Sequence, residues 1–223
     1  MARASSGWST SPMSSTTPAK HPGPCGIERA GVQSDERGAA AATGRHIPGK
    51  PMTLQLRHET QDDMAAIEAV TIAAFADAPY TSHTEQFIVC ALRAANELAL
   101  SILAEEEGQV IGHVALSPVT ITDGRGQKVE GWYGLGPISV LPQRQGQGVG
   151  SRLMEQALAE LRTMQAAGCV LLGDPAYYAR FGFQVHPDLQ LPGVPPGYFM
   201  ALALDGPAPK GIVQYSDAFS ATA

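Results

Sequence analysis

From residue 53 onward the chain alternates two kinds of hydrophobic spacing. Residues 53–58 set Leu54 and Leu56 between polar positions, the period of two expected of a strand with one buried face. Thr60-Gln61-Asp62-Asp63 then offers a hydroxyl cap followed by carboxylates, which suit the positive end of a helix. The helix predicted there carries Met64, Ile67 and Ala74 on one face, with Val70 and Phe75 beside them. A second helix, over 84–96, groups Phe87, Ile88, Ala91, Leu92 and Ala95. Two apolar runs, 100–104 and 110–121, flank the polar turn 105–108 and read as a hairpin; Asp123-Gly124-Arg125-Gly126 turns the chain again. No internal repeat is present.

The pattern is sharpest over 132–183. A strand over 132–140 contains Gly134, Gly136 and Pro137, which weaken a ladder and belong at a bulge or where a ligand comes close to the backbone. It runs through Leu141-Pro142-Gln143-Arg144 into the turn Gln145-Gly146-Gln147-Gly148-Val149-Gly150-Ser151. An amphipathic helix follows, with Val149, Leu153, Ala157, Leu161 and Met164 on one face, flanked by Met154 and Leu158. A short apolar strand over 168–173 leads to Asp174-Pro175-Ala176-Tyr177-Tyr178-Ala179-Arg180-Phe181-Gly182-Phe183. There Pro175 suits the first turn of a short helix and Gly182 its end.

Charge divides the chain. Six of the 15 Lys/Arg and three of the 21 Asp/Glu fall in residues 1–51, so that stretch carries +3 and the remainder -9. Residues 1–51 are rich in Ser, Thr, Gly, Pro and Ala with few large aliphatics, so they are expected to form a disordered extension ahead of one domain over 52–223. The net charge of -6 argues against a nucleic-acid partner held by phosphate contacts. No apolar run reaches the roughly 18–20 residues of a membrane span. A cytoplasmic location is expected, with no membrane partner. Cys25, Cys90 and Cys169 are odd in number and widely spaced, giving neither a disulfide framework nor a metal cluster, and no metal is expected. Cys90 and Cys169 lie in apolar contexts and read as small core residues.

A strand, a glycine-rich turn and a helix together make a cradle for phosphate, because the first helical N–H groups have no partner within the helix. The turn is not a P-loop, since no Lys followed by Ser or Thr ends it, and its glycines at 146, 148 and 150 do not have dinucleotide-fold spacing. It fits Q/R-x-x-G-x-G/A. With Val140-Leu141-Pro142 upstream and Tyr-x-x-x-Gly-Phe downstream at Tyr178 to Phe183, the chain resembles the GNAT superfamily of acetyl-CoA-dependent N-acetyltransferases. Gly112-His113-Val114, Ser117-Pro118-Val119, Leu135-Gly136-Pro137 and Gly173-Asp174-Pro175-Ala176-Tyr177-Tyr178 are similar to its YhbS-like branch. The resemblance covers residues 53–219. One departure is Leu171, where many members carry Asn.

The resemblance implies an α/β (α+β) fold: a mixed, mainly antiparallel sheet with helices on both faces. Its fourth and fifth core strands, here 132–140 and 168–173, splay into a V that admits acetyl-CoA. It implies that the pyrophosphate rests on the amides of Gln145, Gly146, Gln147, Gly148, Val149, Gly150 and Ser151, and that pantetheine pairs with backbone at Ile138, Ser139 and Val140. Tyr178 is the candidate general acid for the departing thiolate, its ordinary pKa of about 10 lying above the roughly 8.5 of a thiol. Tyr177 is expected to point elsewhere, and Arg144 either meets a phosphate or lies in solvent. The expected reaction is direct attack of a primary amine on the thioester in a ternary complex. The acceptor is a small molecule or a protein amine, and a homodimer is compatible with the family.

Strand 132–140 carries no acid, so the general base stays open among Glu85, His113, Glu130 and a water relay. That gap leaves a second reading: an acetyl-CoA-binding sensor or partner-binding module that keeps the fold without turnover. The charge of the domain favours cationic acceptors by long-range attraction.

Overall fold

A computed structural model describes residues 53–78, 81 and 83–222. The extension expected over 1–51 lies outside them. The described elements run β1 (Gln55–His58), α1 (Met64–Phe75), α2 (Glu85–Ala94), β2 (Leu100–Glu106), β3 (Gln109–Pro118), β4 (Thr120–Thr122), β5 (Lys128–Val129), β6 (Trp132–Val140), α3 (Val149–Thr163), β7 (Gly168–Leu172), α4 (Pro175–Tyr178), β8 (Leu189–Gln190), β9 (Phe199–Ala203) and β10 (Gly211–Gln214).

Six strands form the main sheet in the order β1-β2-β3-β6-β7-β9. All neighbours are antiparallel except β6 and β7, which run parallel. The parallel pair follows from the connection, because α3 crosses over one face to return the chain beside β6. That face is covered by Leu153, Met154, Ala157, Leu158 and Leu161 of α3, packed on Ile102, Val114, Leu116, Leu135 and Leu171. Burying each such leucine is worth about 1.5–3 kcal/mol, so the crossover helix is pinned by its stripe. On the opposite face Ile67 and Val70 of α1 and Val89 of α2 cover Leu103 and Ala115. The helices therefore lie on both faces.

The run 110–121, expected as one strand, is two. Pro118 closes β3, and β4 begins a second sheet ordered β5-β4-β10-β8. A proline has no N–H for the ladder, so the chain leaves the first sheet there. The second sheet packs Ile121, Leu189 and Val213, with Val119 just ahead of it, onto Trp132, Val170, Phe199 and Ala201 of the first.

The start of α1 is tied down by an ion pair. Asp63 accepts from both terminal nitrogens of Arg57 at 2.7 and 2.8 Å and from the backbone N–H of Thr60 at 2.7 Å. These bonds to the charged form hold its carboxyl well below the usual range, the Arg57 guanidinium being the largest cause.

Candidate functional site

β6 is nine residues long, yet it pairs with β7 only where Trp132, Tyr133 and Gly134 meet Gly168, Cys169 and Val170. On its other side Val114 pairs with Ile138 and Leu116 with Leu135, so Gly136 and Pro137 stand opposite the single residue Ala115. This is the bulge that Gly and Pro within the strand predicted. Meanwhile β7 pairs along its whole length with β9. From Leu135 to Val140 the edge of β6 that faces β7 has no strand partner among the described residues.

This free edge ends at the glycine-rich turn. Gly148 caps α3 with φ of 84°, a left-handed conformation that costs other residues energy. A cavity of about 650 Å³ opens there. Ile138, Val140, Gln145, Gly146, Gly148, Gly150, Ser151 and Tyr178 line it. Ser139, Gln147 and Val149 send their side chains elsewhere. Ser139 is buried and donates to Thr71 Oγ1 at 3.2 Å, Gln147 donates to the Gln143 carbonyl at 2.8 Å, and Val149 joins the core beneath α3. Only their backbone groups are available to a ligand. Arg144 lines the cavity too, held by Glu106 at 2.6 Å.

Tyr178 sits on the last turn of α4. Asp174 caps that helix, its carboxylate accepting from the Ala176 N–H at 2.9 Å. The Tyr178 ring lies so close over Gly173 that a Cβ there would overlap it, which is why glycine directly follows β7. Its edge meets Phe183, with centroids 6.3 Å apart. Burial, with smaller contributions from Tyr177 and Asp174, pushes the phenol up to about 12. The hydroxyl therefore keeps its proton well beyond neutral pH.

Tyr177 does not point away as expected. It lines the same cavity, and its hydroxyl lies 3.0 Å from where a Cβ on Gly150 would be. Arg180 stacks on its ring, 4.0 Å from the centroid, and also borders the cavity. The cause is local: α4 has four residues and passes at once into a 3-10 turn, Ala179–Phe181. On so short an element neighbouring side chains are not sent to opposite faces. Ala74 and Phe75 at the end of α1, with Gly173 and Asp174, complete the lining. Sequence reading found none of these four as site residues, since only tertiary packing brings α1 to the gap.

None of the base candidates lines the cavity. His113 is fully buried on the α1 side of the sheet, its Nε2 2.8 Å from Ser101 Oγ. Ser101 in turn donates to Glu59, which is paired with Arg93 at 2.9 Å. Burial pulls the imidazole down to about 4, so it is neutral at pH 7 and belongs to a buried polar chain. Glu85 accepts from Thr81 Oγ1 at 2.6 Å, and Glu130 precedes β6 at the end remote from the turn. Cys169 is a buried free thiol pushed upward by burial, a core residue as expected. Among the described residues no cluster suits a metal ion, and no helix is long and apolar enough to cross a membrane.

Residues 97–185, which hold the free edge, the turn and both tyrosines, match the family model of the acetyltransferase (GNAT) domain. The chain is also 35% identical over 161 residues to the uncharacterized N-acetyltransferase YhbS of Escherichia coli K12, covering 69% of this chain and 94% of that one. The chain belongs to the GNAT family of N-acetyltransferases. Within it, the chain is of the YhbS-like branch: its fold matches the crystal structure of E. coli YhbS in complex with CoA at a TM-score of 0.68 and 32% identity, covering 80% of this chain and 98% of that one. A GNAT acetyltransferase from Brucella melitensis, crystallised with acetyl-CoA, is 48% identical at a TM-score of 0.66 over 75% of this chain and 99% of that one.

Proposed function

We propose that this GNAT enzyme takes an acetyl group from acetyl-CoA lying in the gap between β6 and β7 and passes it directly to a primary amine. One observation carries the reading: a free strand edge, a helix N-terminus capped by left-handed Gly148 and a protonated Tyr178 border a single cavity. The chain's groups fit the donor in two parts. N–H groups at Gly146 to Ser151 present donors to a pyrophosphate, with open space over Gly146 and Gly148 where a side chain would otherwise stand. The free edge of β6 at Ile138 to Val140 offers N–H and C=O groups to the amides of pantetheine, as another strand would.

In the transfer, the amine nitrogen bonds to the acetyl carbonyl carbon while the carbon–sulfur bond breaks. A backbone N–H on the β6 edge stabilises the carbonyl oxygen as it gains charge. Tyr178 donates its hydroxyl hydrogen bond to the sulfur as it leaves with the electron pair. Its pKa lies above that of a thiol, so it stays protonated and steadies the thiolate as a hydrogen-bond donor ahead of any full proton transfer, and the sulfur's final proton is balanced by the one the amine gives up. Because no carboxylate of β6 and none of the three base candidates borders the cavity, water carries the amine's proton away. The second reading, binding without turnover, rests on this same lack of a base.

We assign the activity to 52–223 and give 1–51 no part in it. The test is thiol release from acetyl-CoA with a panel of amines, on the full chain and on a chain beginning at Met52. We expect amine-dependent release at equal rates in both. Tight acetyl-CoA binding with no release on any amine supports the sensor instead, and a slower truncated chain means that the extension contributes.

A further inference from the structure

The two faces of the gap differ in chemistry. Along β7, Leu171 is buried beneath α3, so the period of a strand sends Val170 and Leu172 to the opposite face. Val170 is covered there by the second sheet, whereas Leu172, opposite Phe199 in register, is 50% exposed. Gly173 donates its N–H to the Tyr198 carbonyl at 2.9 Å, which holds Tyr198, 52% exposed, next to Leu172. Gly173 lines the cavity beneath the Tyr178 ring, and this apolar pair, outside the lining itself, is joined to it through Gly173. From the other wall, the last turn of α1 contributes Phe75. Phosphate-binding groups lie on the α3 face, and the α1 face of the same opening is apolar.

Carboxylates are scarce at this site. Among the described residues lining the cavity Asp174 is the one acid, and its side chain already caps α4. A polyamine or an aminoglycoside would find no set of acids for its further ammonium groups. An apolar surround also disfavours the charged form of a bound amine, releasing the neutral nucleophile that the reaction needs. That effect answers the absence of a base on the cavity wall.

We propose that the acceptor is a small primary monoamine with an aromatic or branched alkyl body, seated between Phe75 and the Leu172–Tyr198 edge. This rests on the acetyl-CoA-dependent reading above, and it narrows the cationic acceptors that the charge of the domain favours to those with a single ammonium group. The nitrogen forms the new bond to the acetyl carbon, the thioester bond breaks, the amine's proton goes to water and the sulfur is protonated.

The experiment compares kcat/KM of the full chain for 2-phenylethylamine and isoamylamine with that for ethanolamine and putrescine, read by thiol release. One methylene in an apolar pocket is worth about 10-fold or more, so the apolar pair should exceed the polar pair by at least about 10-fold. Leu172→Ser should cut kcat/KM for 2-phenylethylamine by about 10-fold, with Leu172→Met restoring it, while the thermal midpoint and acetyl-CoA Kd stay put. Equal values for all four amines, a preference for putrescine, or an unmoved Leu172→Ser would overturn the acceptor class and leave the transferase reading standing. Acetyl-CoA binding with no turnover on any amine would overturn both.

Discussion

Tyr178→Phe should slow acetyl transfer by about 10²–10⁴-fold, the usual contribution of a positioned acid, while acetyl-CoA affinity changes little. The ring packs on Gly173 and Phe183, and phenylalanine keeps both contacts, so only the hydroxyl is lost. Burial has raised that hydroxyl to about 12. It therefore remains protonated through pH 10, and the wild-type rate should show no fall near pH 10 attributable to this group. Tyr177→Phe is the paired control. Its hydroxyl lies at Gly150, in the turn and not beside Gly173, so its loss should weaken cofactor binding a few-fold and leave the chemical step nearly intact. Single-turnover mixing separates the two, because product release cannot mask the chemical step there. A Tyr178→Phe enzyme that retains its single-turnover rate would mean the sulfur leaves without this donor.

Gly148→Val should lower acetyl-CoA affinity by about 10²–10⁴-fold, measured by calorimetry. A hydrogen bond to a charged group contributes about 1.5–3 kcal/mol, and moving the turn should cost the pyrophosphate two of them. The variant also strains the backbone, since φ is 84° and a branched residue resists it. Gly126→Val isolates that strain: its φ is 78°, its surroundings are equally open, and it lies in the hairpin turn between β4 and β5. Both variants should lose similar thermal stability, and only Gly148→Val should lose affinity. Equal affinity in the two would remove the turn from the binding site.

Much of this was legible in the residues because local rules and the fold agree. Gly136 and Pro137 announced the bulge, the turn at 145–151 announced a helix N-terminus, and the alternation around Leu54 and Leu56 placed the first strand. Where packing decided, the chain was silent. Pro118 does not say that the next residues join a second sheet. Phe199–Ala203, which completes the main sheet beside β7, is a short apolar run behind Pro192, Gly193, Pro195, Pro196 and Gly197, too brief to announce a strand by its pattern alone. Tyr177 was misjudged because helical spacing was applied to a helix of one turn. His113 kept its chemical interest until burial against Ser101 showed it to be part of the interior. Phe75 entered the site only through the packing of α1 on β6, a contact that spacing cannot report.

The most direct test of the account is a crystal structure of the full chain with acetyl-CoA. It should show pyrophosphate oxygens accepting from the N–H groups of Gly146 to Ser151, pantetheine paired with the β6 edge at Ile138 to Val140, and the sulfur within hydrogen-bond reach of the Tyr178 hydroxyl. A donor lying outside the gap between β6 and β7, or a sulfur beyond the reach of Tyr178, would contradict it.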